Sequence, residues 1–246
     1  TFHWFGIIGI AYSLILMFAL RENPAHNIKK TNIPINNTEK KISLFSGLSI
    51  LFSTWAFWII LFYFAAPSLP GWATKNWLPT LFSETLNIPM SEAGPISTIT
   101  IAVSSFIGVI VGGILSDRWV QKNIRGRVYT GAIGLGMTIP ALMLLGFGES
   151  FIAVVGAGLL FGIGFGIFDA NNMPILCQFI SAKYRGTAYG IMNMTGVFAG
   201  AAVTEQLGKW TDGGNLGIGF ALLSIVVLAA LLLQVYFLRP KTDNME

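Results

Sequence analysis

Apolar runs of about 20 residues recur along the chain, each long enough to cross ~30 Å of hydrocarbon as a helix. They cover Phe2 to Leu20, Thr54 to Phe82, Ala93 to Leu115, Val128 to Phe147, Phe151 to Phe179, Thr187 to Leu207 and Ile218 to Leu238. The alternation of a membrane barrel strand is missing from these runs, so they predict helices: seven spans with loose ends. Span two is too long to be straight, and Pro67, Pro70 and Gly71 predict a kink or interruption in it. Between the first two spans lies "RENPAHNIKKTNIPINNTEKK", polar and without period, which reads as a linker. The following "SLFSGLSILF" is too short to span and reads as an interfacial helix.

Composition agrees with the pattern. The chain is 54% hydrophobic and 11% charged, with a mean hydropathy of +0.68, whereas a soluble domain carries about 25% charge. This is the composition of an all-α integral membrane protein. The single cysteine, Cys177, cannot form an internal disulfide. The first run has neither a basic leading region nor a small-residue cleavage site, so it is not a signal peptide. It reads as a span met midway, with sequence expected upstream of Thr1.

The net charge of +4 matters less than its placement. Arg21, Lys29, Lys30, Lys40 and Lys41 lie in the linker; Arg118, Lys122, Arg125 and Arg127 follow span three. Lys183 and Arg185 follow span five, and Arg239 and Lys241 follow the last. All fall on one side of the bundle; only Lys75 and Lys209 fall elsewhere. By the positive-inside rule this side, with the C-terminus, is cytoplasmic.

Candidate chemistry sits inside the apolar runs. Asp169 follows "FIAVVGAGLLFGIGFGIF", which has no charge. Gly158, Gly162 and Gly166 share one helix face suited to close packing in lipid, and Asp169 is expected to continue it, with Asn172 about 60° round. Pro174 removes the partner of the Ala170 carbonyl, predicting a helix opened beside a carboxylate. Asp169 either fixes helix packing or lines an ion or substrate path as a group that takes and releases a proton. Asn193, inside span six, either pairs with a neighbouring helix or faces a path. Lys75 reads as an extracellular loop charge or as a cation facing a cavity, which would favour anions. Tyr63, Trp72 and Trp77 suit either a sugar ring or the membrane interface, and the interface reading is preferred for Trp72. His3 and His26 carry no assignable role. The chain has no metal-ligand cluster, phosphate-cradling loop or nucleophile–base pair, so no metal, cofactor, ATP-driven step, enzymatic activity or nucleic-acid partner is expected.

"GGILSDRWVQKNIRGR", Gly112 to Arg127, ends a span on glycines and then presents an acid and a basic cluster. It resembles the G-x-L-x-D-R-x-G-R-[KR] loop of the major facilitator superfamily at Gly113, Leu115, Asp117, Arg118 and Lys122. It departs at Val120, where the family usually has glycine, and at Gln121, where it usually has a basic residue. "YRGTAYGIMNMTG" resembles the cytoplasmic start of that family's eleventh helix, and "NWLPT" the outer part of its seventh in organic-anion branches. The resemblance implies helix six over 1–20, a cytoplasmic central loop over 21–53, and the C-terminal six-helix half-bundle over 54–246. It puts Lys75 in helix seven, where organic-anion members often carry a substrate-binding cation. It also implies that Asp117, with Arg118, Lys122, Arg125 and Arg127, is a cytoplasmic latch against an N-terminal half-bundle that this chain lacks.

The expectation is therefore one half of a secondary transporter, in the lipid bilayer of a bacterial inner membrane. It moves a small organic anion or sugar, coupled to protons. Asp169, Asn172, Asn193, Lys75, Tyr63 and Trp77 are its site candidates. The alternative is a non-transporting membrane remnant or scaffold.

Overall fold

A computed structural model describes residues 2–19 and 44–240. The linker, its basic residues, His26 and Lys241 lie outside the described residues. One unit contributes α1 (Phe2–Ala19), an uninterrupted apolar helix. The other contributes α2 (Leu44–Ser53), α3 (Trp55–Leu86), α4 (Met90–Val120), α5 (Gly126–Phe147), α6 (Phe151–Asp169), α7 (Asn172–Phe179), α8 (Arg185–Asp212) and α9 (Leu216–Phe237). A 3₁₀ turn, Ala182–Tyr184, precedes α8. There is no strand among the described residues.

Five segments there are long and apolar enough to cross a membrane: α3, α4, α5, the α6–α7 pair and α9. This is fewer than the seven expected. Helix α8 has the length, but polar side chains including Asn193, Thr195, Thr204 and Glu205 dilute its apolar character. Helix α1 is short, and α2 is the ten-residue helix expected before α3.

Helix α3 lacks the interruption that was one of the two outcomes expected of it. It runs unbroken through Pro67, Pro70 and Pro79, so the prolines do not interrupt it. Each lacks an N–H and so leaves the carbonyl four residues earlier without its helical donor, a loss tolerable inside a packed bundle. The Ser68 hydroxyl donates to the Phe64 carbonyl at 2.7 Å in the same stretch. The helix ends where Asn87 adopts a left-handed conformation (φ 52°), followed by Pro89.

The expected break in span five is present. Helix α6 ends at Asp169, the Asn171 N–H bonds the Phe168 carbonyl three residues back, and α7 starts at Asn172, two residues before Pro174.

In lipid, helices gain little from burying apolar surface against one another, so close backbone approach must hold the bundle. Small residues supply it where α6 meets α4 and α5, where α5 meets α9 and where α3 meets α8. A Cβ on Gly158 would lie 3.1 Å from the Thr100 methyl; one on Gly162 would strike Ser104, and one on Gly166 the Ser105 carbonyl. All three partners are on α4. Gly134 and Gly164 bring α5 onto α6, and Gly146 and Gly217 bring α5 onto α9. Between α3 and α8 the fit is ring into glycine: Phe64 over Gly196, Trp72 over Gly200, Trp77 over Gly208.

The basic junctions lie at one end. The Gln178 amide of α7 donates to the Ile124 carbonyl in the α4–α5 loop at 2.9 Å. Arg125 in that loop donates to the Val235 carbonyl in the last turn of α9 at 2.6 Å, where the helix dipole favours a cation. Gln234 donates to the Val128 carbonyl of α5, also at 2.6 Å. Arg185 closes the set by donating to the Cys177 and Ile180 carbonyls at the end of α7.

Candidate functional site

Helices α3, α6 and α8 line a cavity of about 210 Å³, at which Lys75, Asp169 and Asn193 are exposed. Its wall follows from helical spacing. Phe64, Ser68, Gly71, Trp72 and Lys75 recur at intervals of one and three to four along one stripe of α3. Phe165, Phe168 and Asp169 face it from α6, and Asn193, Gly196 and Val197 from α8.

Two charges of opposite sign share this cavity. The Lys75 ammonium lies 5.2 Å from the centroid of the Trp72 ring, within cation–π reach. Asp169 accepts a hydrogen bond from the buried Asn172 amide at 3.0 Å, across the α6–α7 break. The ion pairs among the described residues are Arg127–Asp117 and Lys209–Glu205, so Lys75 and Asp169 face one space without neutralising each other directly.

The sequence-predicted residues divide. Lys75, Asp169 and Asn193 line the cavity, and Asn172 supports Asp169 from behind. The Asn193 amide donates to the Tyr189 carbonyl of its own helix at 2.9 Å. Asp169 does not continue the glycine face: that face packs on α4, and the carboxylate opens between α3 and α8. Lys75 is a helix residue and not a loop charge. Tyr63 lies elsewhere, 1% exposed, its ring edge-on to Phe168 at 5.2 Å and its hydroxyl over Gly131. One residue of α3 turns a side chain by about 100°, so Tyr63 points into the core while Phe64 reaches the cavity. Trp77 also lies outside, its indole N–H donating to the Thr204 carbonyl at 3.1 Å in the α3–α8 contact. The rings of this stripe that line the cavity are Phe64 and Trp72. Phe64, Ser68, Phe165 and Phe168 went unpredicted. The signal for Phe64 and Ser68 was the spacing from Lys75 back along α3, and that for Phe165 and Phe168 the spacing from Asp169 back along α6.

The loop motif stands apart from the cavity. Asp117 is exposed and lies 3.7 Å from Arg127 in the first turn of α5. Arg118 and Lys122 are exposed, and no group lies within 4 Å of where a Gly113 Cβ would be. Arg125 spans loop and helix end, its guanidinium 4.9 Å over the Tyr129 ring. None of these residues lines the cavity.

A charged, ring-lined cavity among tightly seamed apolar helices defines a multi-pass integral membrane protein with a polar site on its helical bundle. The sequence profile of the Major Facilitator Superfamily matches residues 1–204. The chain belongs to that superfamily. It is similar to the probable anion transporter 3, chloroplastic, of Oryza sativa subsp. japonica, with 25% identity over 89% of this chain and 45% of that protein. It is also similar to the citrate-proton symporter of Klebsiella pneumoniae, with 21% identity over 96% of this chain and 51% of the relative. Its fold matches the crystal structure of a D-xylose-proton symporter at a TM-score of 0.53 and 17% identity, over 82% of this chain and 50% of the other. The chain thus spans about half the length of the relatives it matches.

Proposed function

We propose that this chain forms one half of a secondary transporter that carries a small organic anion with a proton by alternating access. The observation that carries the reading is Lys75 and Asp169 set into one cavity wall from different helices. Ionisable groups are costly at membrane depth and commonly mark ion or substrate paths. Lys75 supplies the charge that draws an anion; Asp169, steadied by Asn172, takes and releases the proton. Lys75 also favours an anion over a neutral sugar. The printed names of an anion transporter and a citrate-proton symporter among the relatives support the class.

In this reading residues 1–20 act as helix six, 21–53 as the central loop and 54–246 as the second six-helix half, with the basic end in the cytoplasm. Asp117 and its basic neighbours latch against the other half-bundle, the partner that matches half the relatives' length. Uptake of labelled benzoate, gluconate and citrate is measured in vesicles carrying the full reading frame that contains this chain, with an acid-outside gradient. Saturable uptake of at least one anion, driven by the gradient and lost in Lys75→Gln, is expected. Uptake indifferent to both the gradient and Lys75 overturns the reading.

A further inference from the structure

We infer that the cavity selects a flat aromatic monocarboxylate, its ring against the wall of aromatic side chains and its carboxylate on Lys75. The inference rests on the anion reading above and adds the shape and charge of the anion.

Four rings line the cavity: Phe64 and Trp72 from α3, Phe165 and Phe168 from α6. Three of them are seated against glycine on a neighbouring helix. A Cβ on Gly71 would lie 2.8 Å from Phe165 Cζ and one on Gly196 2.6 Å from Phe64 Cε1, while one on Gly200 would strike the Trp72 indole. Phe165 is also stacked on Phe161, centroids 5.6 Å apart and planes 16° from parallel, and lies 5.8 Å from Phe168. Phe168 in turn meets Tyr63 edge-on. These rings are braced, and a braced ring loses little freedom when a flat ligand stacks on it. Because Lys75 sits at the Trp72 ring, a carboxylate bound to the ammonium carries its attached ring onto the Trp72 and Phe165 side of the wall.

The polar groups on this chain's part of the wall are few beside its rings. Ser68 donates to its own helix, the Asn193 amide does likewise, and one Asp169 oxygen is taken by Asn172. What remains is the Lys75 ammonium, the Trp72 indole N–H, the second Asn193 N–H, the lone pairs of Ser68 and the free oxygens of Asp169 and Asn193. A polyhydroxylated substrate would leave hydroxyls unpaired against the rings. A dicarboxylate would bring a second negative charge to a wall with one cation and a carboxylate, where repulsion opposes it.

The test is uptake of [14C]benzoate and of [14C]gluconate into proteoliposomes carrying the full reading frame that contains this chain, corrected against protein-free liposomes. Unlabelled benzoate, cyclohexanecarboxylate and phthalate compete with the benzoate label. Stacking worth the usual aromatic increment makes puckered cyclohexanecarboxylate about three- to tenfold weaker than benzoate. Phthalate and gluconate are expected to be weaker still. In Trp72→Leu and in Phe165→Leu the benzoate preference should shrink towards unity. That preference is a ratio within one preparation, so it does not depend on how much variant folds, and two variants guard against the loss of either. Equal competition by cyclohexanecarboxylate in the wild type, with Lys75→Gln removing uptake of both labels, overturns this inference and leaves the anion reading standing. Uptake of neither label above protein-free liposomes overturns both.

Discussion

Tyr63 and Phe64 show how one step along a helix, about 100° of rotation, separates the core from the cavity that Asp169 shares. Asp169 opens into the cavity and is held by Asn172. Asparagine is nearly isosteric but does not exchange a proton, so Asp169→Asn in the full reading frame should abolish uphill accumulation while retaining substrate exchange. With expression matched, accumulation and counterflow assays check this. Gradient-driven uptake near wild type would remove the coupling role. Tyr63, one position from cavity-lining Phe64, has a buried hydroxyl without a hydrogen-bond partner among the described residues. Removing an unpaired hydroxyl forfeits no bond. Tyr63→Phe should therefore leave uptake unchanged and keep thermal stability at or slightly above wild type, as read by melting in detergent. A severalfold loss of uptake would restore Tyr63 to the site.

Among the elements, the glycine seam of α6 can be tested within one helix. Gly162 and Gly166 meet α4 backbone and Ser104, whereas no group lies within 4 Å of a Cβ on Gly156. Overpacking typically costs about 1–3 kcal/mol and can cost more where backbone must move apart. Gly162→Leu should therefore lower the melting temperature in fluorescence size-exclusion assays, and Gly156→Leu should not. Equal melting of the two variants would mean that α4 and α6 do not meet along this seam. The α6–α7 break was legible because Pro174 removes a hydrogen bond that no distant contact restores. The continuity of α3 was not, because Pro67, Pro70 and Gly71 argue locally for a kink or an interruption without deciding between them.

For the molecule as a whole, one-sided charge predicts orientation. Cysteine at Asn32, in a Cys177→Ser background, should react with an impermeant maleimide only after the membrane is opened, and cysteine at Gly213 should react in intact spheroplasts. The reverse pattern would invert the bundle. Because the cavity has walls from only three helices of this chain, residues 1–246 alone should insert but not accumulate substrate in vesicles. Robust accumulation by this chain alone would sink the half-transporter reading.

The sequence by itself determined that the chain enters a bilayer, roughly where its helices lie, which junctions carry the basic charge and where one helix opens. Each of these depends on local quantities: the length of an apolar run, the sign of a loop, a missing N–H. Which polar residues share a space was decided only by the tertiary structure. That depends on how far each helix rotates when its glycines meet a neighbour. The same apolar run could turn Tyr63 or Phe64, Trp72 or Trp77 towards the cavity until the seam with α8 chose between them.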